Sequence, residues 1–169
     1  MRSNAFWLVP PAPAYDNGTM DALTRLLAER ACERLMVDYA WAVDSGRAVL
    51  IADLFTDDGV WEGADGGGMR GRETIVAAFT KRQALTRRAS RHVITNQAVD
   101  VIDENTATGR AYLINYRHDS AEGVAEVPAP AGHPKFVGEY HLQYVNTPDG
   151  WRIKTLRFTL AFLRRSSRP

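Results

Sequence analysis

The chain has 169 residues, 45% of them hydrophobic and 24% charged, enough to bury one sizeable core and too few for two comfortable domains. Its 21 Lys and Arg balance 20 Asp and Glu, leaving a net charge of +1; no whole-molecule field draws it to nucleic acid or an anionic membrane, so a small, weakly charged ligand is expected. The one cysteine, Cys32, allows neither an internal disulfide nor a multi-thiolate metal centre, and no apolar run approaches the roughly 18 residues of a membrane span, so a cytoplasmic protein off the membrane is expected.

Residues 1–20 carry three prolines and no periodicity, which predicts an extended N-terminal arm outside the core. Arg2 and the apolar run Ala5 to Val9 imitate a secretory leader, but the run is short and ends in Pro10-Pro11, so export is not expected. From Asp21 onward, Leu23, Leu27, Ala31, Leu35 and Tyr39 recur at helical spacing, and Leu26, Met36 and Val43 widen the stripe. That pattern predicts a long amphipathic helix, broken by Ser45-Gly46. Arg47 to Phe55 predicts a second, shorter helix stopped by Asp57-Asp58-Gly59, and Val60 to Glu62 a short strand.

The segment Gly63 to Gly68 lacks phosphate-cradle spacing and reads as a flexible pocket-rim loop. A third helix is predicted from Arg72 through Ile75, Val76 and Phe79. Beyond it the period becomes alternating near Arg91 to Val101, Thr106 to Arg117, Lys135 to Val145 and Trp151 to Phe162. Thr147-Pro148-Asp149-Gly150 is a turn between the last two strands, and Ala121 to Gly132 a long loop. Helices first and strands afterwards predict an α+β domain over residues 21–163, three N-terminal helices against a curved antiparallel sheet, followed by a basic tail, 164–169.

The order and spacing resemble the nuclear-transport-factor-2-like superfamily, on its SnoaL-like branch, over roughly residues 22–163. The resemblance is carried by Tyr39-Ala-Trp-Ala-Val-Asp44-Ser-Gly46, Leu54-Phe55-Thr-Asp-Asp58-Gly, Gly71-Arg-Glu-Thr-Ile75 and Asp149-Gly-Trp151-Arg-Ile153. It implies a cone-shaped fold whose strongly bent sheet wraps the first helix on its concave face and opens at one end to a ligand. The superfamily includes ketosteroid isomerase, scytalone dehydratase, bile-acid dehydratase and SnoaL-like polyketide cyclases.

By this resemblance Asp44 and His92 match an Asp and a His that line the pocket of dehydratases and dehydrochlorinases. An imidazole can take or give a proton near neutral pH, and a carboxylate on its other nitrogen fixes the tautomer and stabilises the imidazolium. Alternation within Arg91-His-Val-Ile-Thr-Asn96 puts His92, Ile94 and Asn96 on one strand face. A plain half-buried strand histidine fits the same pattern, and Asp44 or Ser45 could instead cap the second helix. Tyr39 lies on the apolar stripe, matches a tyrosine that polarises substrate in ketosteroid isomerase and bile-acid dehydratase, and reads equally as core. On an ideal helix it stands about 140° from Asp44.

Arg157 shares the Trp151-Ile153-Thr155 face and lies near the place of a functional arginine in bile-acid dehydratase, although one bulge would turn it to solvent. Trp61, Asn96, Tyr112 and Asn115 are further substrate-contacting candidates, with Tyr116. Two departures stand out: scytalone dehydratase has a second histidine where this chain carries Ala111 or Tyr112, and ketosteroid isomerase has its base where Gly63 stands beside Glu62. His118, His133 and His141 lack metal-ligand spacing, so no metal or other cofactor is expected. Lys81, Arg82, Arg87, Arg88 and Arg91 read as a solvated basic patch.

These expectations converge on a cofactor-independent, dehydratase-like lyase acting on a small hydrophobic alcohol or ketone. The alternatives are an isomerase, a polyketide-cyclase-like enzyme, and a non-catalytic module that binds a ligand or resembles a dioxygenase β-subunit. A broad outer sheet face would be covered in a homodimer or homotrimer.

Overall fold

The computed structural model describes residues 20–164; the expected arm up to Thr19 and the tail beyond Arg164 lie outside the described residues. The first helix, α1, spans Ala22–Asp44. It starts on Asp21, whose carboxylate accepts the backbone N–H groups of Leu23 and Thr24 at 3.0 Å each, filling two of the donors a helix start leaves open. It stops where Ser45 N–H bonds the Trp41 carbonyl and Gly46 takes φ 72°, a left-handed turn that favours glycine.

Burial along α1 begins at Ala28 and continues through Cys32, Leu35, Met36, Tyr39 and Val43. Leu23, Leu26 and Leu27, which belong to the predicted stripe, stay exposed because the first turns precede the part of the helix that the core covers. The second helix is a 3₁₀ segment, Ala48–Leu54, that buries Ala48 and Ile51. Their spacing of three matches the eclipsed side chains of that helix type, and it suits a run too short to settle as α.

Strand β1 (Phe55–Glu62) begins five residues earlier than Val60, and the predicted stop at Asp57-Asp58-Gly59 is absorbed as an irregularity inside it. A short β2 (Gly68–Arg70), helix α2 (Arg72–Gln83), and the long strands β3 (Arg88–Val101), β4 (Thr106–Asp119), β5 (Phe136–Thr147) and β6 (Gly150–Leu163) follow. The sheet runs β2-β1-β6-β5-β4-β3. It is curved and unclosed. One expectation is corrected here: β1 lies parallel to β6, so the sheet is mixed, not antiparallel throughout. The chain leaves β1, builds β3 to β5 as a meander, and returns in β6 beside its own start.

The inner face packs on α1 through Ala107, Ala111 and Leu113 of β4 and Tyr140, Leu142 and Tyr144 of β5. Gly138 is needed there: a Cβ would stand 2.1 Å from the Thr159 carbonyl oxygen and 2.4 Å from the Phe158 ring. On β6 a register shift beside Tyr144 breaks strict alternation, so that Ile153 and Leu156 are both buried.

Candidate active site

The helix end and the third strand meet at Asp44 and His92. His92 Nδ1 lies 2.7 Å from Asp44 Oδ1, and the His92 backbone N–H donates to Asp44 Oδ2 at 2.6 Å. The carboxylate is therefore gripped by backbone and side chain of one residue. Ser90, two positions earlier on the same strand face, donates its hydroxyl to Asp44 Oδ1 at 3.0 Å and accepts from Arg82 Nη2 at 2.9 Å. The pair is largely enclosed, with side-chain exposures of 13% for His92 and 9% for Asp44. Enclosure of this kind strengthens each contact by excluding water. Asp44 caps no helix: the 3₁₀ segment is preceded by Arg47 and has no side-chain cap.

Tyr39 faces a different set of partners, as its angular separation from Asp44 requires. Its hydroxyl accepts the Trp61 indole N–H at 3.0 Å, and its ring stands edge-on to Phe79 and Tyr140. Burial pushes the Tyr39 hydroxyl up to about 12 from the ordinary 10.0, against the lowering effect of the hydrogen bonds from Trp61 and Tyr140. Tyr39 thus remains a neutral O–H donor throughout the neutral range. Its oxygen accepts the indole proton, and as a neutral phenol it has its own hydrogen to give, to a ligand or to the Tyr140 hydroxyl beside it.

Asn115 completes the centre. It is directly opposite His92 across β3 and β4 and opposite Phe136 across β4 and β5. Its residue is buried and its Oδ1 has no hydrogen-bond partner. A buried carbonyl oxygen without a donor costs free energy. Phe136 and Phe158, with ring centroids 5.3 Å apart, and Tyr140, 5.7 Å from Phe158, continue an aromatic surface from there. Among the described residues no three His, Cys, Asp or Glu side chains converge to hold a metal ion, and no helix is long and apolar enough to cross a membrane.

Comparison with known families gives a match to the SnoaL-like domain over residues 24–157. The chain belongs to the SnoaL-like domain family. No curated protein matches its sequence. Among solved structures it is similar to a scytalone dehydratase-like protein of Novosphingobium aromaticivorans, with 22% identity and a TM-score of 0.71 over 88% of this chain and 99% of that one. It is also similar to a hexachlorocyclohexane dehydrochlorinase, LinA type 2, at 17% identity and a TM-score of 0.70, over 85% and 92% of the two chains. An NTF2-like protein with a cystatin-like fold, again from Novosphingobium aromaticivorans, aligns at 25% identity and a TM-score of 0.66 over 84% and 92%. Identity below a quarter carries the fold alone.

Within this SnoaL-like domain several sequence candidates fall elsewhere. Arg157 is turned outward by the β6 irregularity, and its Nε bonds Glu62 Oε2 at 2.6 Å at the end of the parallel pair. Asn96 is exposed at φ 53°, where the β3 register shifts, with its Oδ1 accepting from the Thr95 hydroxyl. Tyr112 and Tyr116 lie on the exposed outer face. The position facing His92 is taken by Asn115, not by Ala111 or Tyr112. Trp61 is half-buried against Tyr39. The expected basic patch also divides: Arg82 turns inward to Ser90, while Arg87 and Arg88 bind the Ser120 carbonyl and Asp119.

The sequence analysis leaves Ser90 and Tyr140 unnamed and places Arg82 in a solvated basic patch. Ser90 had a signal, since it shares the strand face of His92 at a spacing of two. Arg82 and Tyr140 had none, because their roles depend on how α2 and β5 pack. Among the described residues, two of the surface clefts stand out, and neither is lined by Asp44, His92 or Tyr39. One, of about 240 Å³, lies between the start of β3, the end of β4 and Val127 to His133. The other, of about 450 Å³, lies between Glu62 to Gly66 and Arg157 to Leu160.

Proposed function

We propose that this SnoaL-like domain is a cofactor-independent, dehydratase-like lyase acting on a small hydrophobic alcohol or ketone. The observation that carries the reading is the enclosed Asp44–His92 contact at 2.7 Å, locked by the second contact from the His92 backbone. With Nδ1–H committed to Asp44, His92 Nε2 is the available base. It removes the proton next to a substrate carbonyl; the C–H electron pair becomes the new C=C bond, and the β-hydroxyl leaves as water after taking a proton back from the imidazolium. Asp44 stabilises that imidazolium and holds the ring. Tyr39 donates to the oxygen on which negative charge develops.

The kinship with scytalone dehydratase-like and dehydrochlorinase folds supports elimination chemistry as the class. A panel of β-hydroxy ketones, followed by mass spectrometry for loss of water and compared with His92→Ala, tests the proposal. Product formation that the variant retains would end it.

One observation favours a second reading, a ligand-binding module without chemistry: Trp61 and Phe79 occupy the surroundings of Tyr39. Under that reading the same panel binds without turnover, and His92→Ala changes affinity alone.

A further inference from the structure

Two residues behind the Asp44–His92 pair take no part in the reaction outlined above. Arg82 lies in the last turn of α2, and the short connection 84–87 brings that turn beside the start of β3. A helix C-terminus suits a cation. Its guanidinium donates to Ser90 Oγ at 2.9 Å, and among the described residues Arg82 makes no ion pair with a carboxylate. This half-buried charge is therefore spent on a serine hydroxyl.

The direction of the chain of hydrogen bonds follows from the chemistry of its end. Arginine has donors only, so Ser90 Oγ must accept from it, and the single hydroxyl proton is left for Asp44 Oδ1 at 3.0 Å. Asp44 Oδ1 then holds Ser90 and His92 Nδ1, and Oδ2 holds the His92 N–H. Every one of these contacts requires the carboxylate to accept, so the imidazole must donate through Nδ1. A guanidinium in direct contact with Asp44 would compete with the imidazole for Oδ1. The intervening hydroxyl keeps the positive charge one bond behind.

We infer that Arg82, acting through Ser90, is a positioning residue that orients the Asp44 carboxylate and commits the Nδ1 proton of His92 to it, leaving Nε2 free. This rests on the reading of His92 as the base. The charged and titratable groups facing Arg82 are Asp44 and Tyr39 from α1, Arg88 from β3 and Arg117 from β4. Arg88 and Arg117 are both paired with Asp119, so neither replaces Arg82 behind the serine. Burial, and then the Arg88 charge, pushes the Arg82 guanidinium below the ordinary arginine range, with Asp44 acting in the opposite sense. The cation is thus held there against its desolvation.

The test needs no substrate. In the full chain labelled with ¹⁵N-histidine, proton NMR reads the His92 Nδ1–H as a downfield signal, and the ¹⁵N shifts report which ring nitrogen carries the proton. Asp44→Asn should abolish the signal. Ser90→Ala and Arg82→Leu should broaden it, move it upfield and mix the tautomers, while Ser90→Thr and Arg82→Lys should restore it in part. If Ser90→Ala and Arg82→Leu leave signal and tautomer as in the parent while Asp44→Asn abolishes them, the positioning role is overturned and the pair stands. If the parent shows no such signal, or Asp44→Asn leaves it unchanged, the pair itself fails and the inference with it. Thermal melts check folding, and the Ser90 variants decide if Arg82→Leu does not fold.

Discussion

Asn115 stands directly opposite His92 across two paired strands, and its side-chain oxygen is buried without a partner. The domain keeps a cost there that an apolar residue of the same shape would avoid. Leaving such an oxygen unpaired costs about 1–3 kcal/mol, and we propose that a ligand donor beside the candidate base offsets it.

Asn115→Leu should therefore raise the melting temperature of the empty protein while weakening ligand binding or turnover. Opposed changes in a thermal melt and in the panel assay are the expected signature. A variant that loses stability and activity together would mean that Asn115 serves packing.

The outer face of the same strands supports a different expectation. Val93, Ile114, Val137 and Phe162 follow one another in register across β3, β4, β5 and β6, with Val93 and Phe162 exposed. A row without charge crossing four strands can meet a second copy of itself about a two-fold axis. Light scattering at micromolar concentration should give a closed oligomer that Val93→Glu dissociates. A monomer mass for the parent chain would refute this.

Long, strongly periodic segments were legible in the sequence: α1, α2 and the four long strands lie where periodicity puts them, because burying one face of each element dictates that period. The direction of β1 was not legible, since a parallel pair depends on the path of the whole chain. The sequence names Asp44, His92, Tyr39 and Asn115 each by residue type and position, but only the packed fold separates the His92 group from the Tyr39 group. Arg157 leaves the expected Trp151-Ile153-Thr155 face for a local reason. A single irregularity near Lys154 reverses which side chains face inward, and no composition signal marks it.

His92→Ala should abolish turnover with the fold kept, since the strand pairing of β3 and the backbone N–H contact to Asp44 both survive the loss of the ring. Asp44→Asn should lower the rate by orders of magnitude by releasing the tautomer, as other Asp-His pairs suggest. Tyr39→Phe should cost less, roughly 2 to 4 kcal/mol at most, the worth of one hydrogen bond to developing charge. The kcat values of the three variants, measured on whichever panel member reacts, would discriminate; a Tyr39 effect exceeding that of His92 would reverse the assigned roles.

Stability should fall steeply in alkali. Burial pushes the Cys32 thiol from 9.0 up to about 12 and the Tyr39 hydroxyl from 10.0 up to about 12, and it holds Tyr140 and Tyr144 well above 10.0. Unfolded, these groups lose their protons at ordinary values, so above about pH 9 for Cys32 and about pH 10 for the tyrosines the folded state binds more protons than the unfolded one. Stability from these groups is then complete below their ordinary values and declines as pH rises, at roughly 1.4 kcal/mol per pH unit for each group in its window. Urea unfolding between pH 8 and pH 11 should show a falling midpoint, with a shallower fall in Cys32→Ser near pH 9 to 10. Tyr140→Phe should flatten the steeper part above pH 10. A midpoint that holds constant to pH 11 would mean that these groups are wetter than the packing around α1 implies, and the enclosed donor role of Tyr39 would fall with that burial.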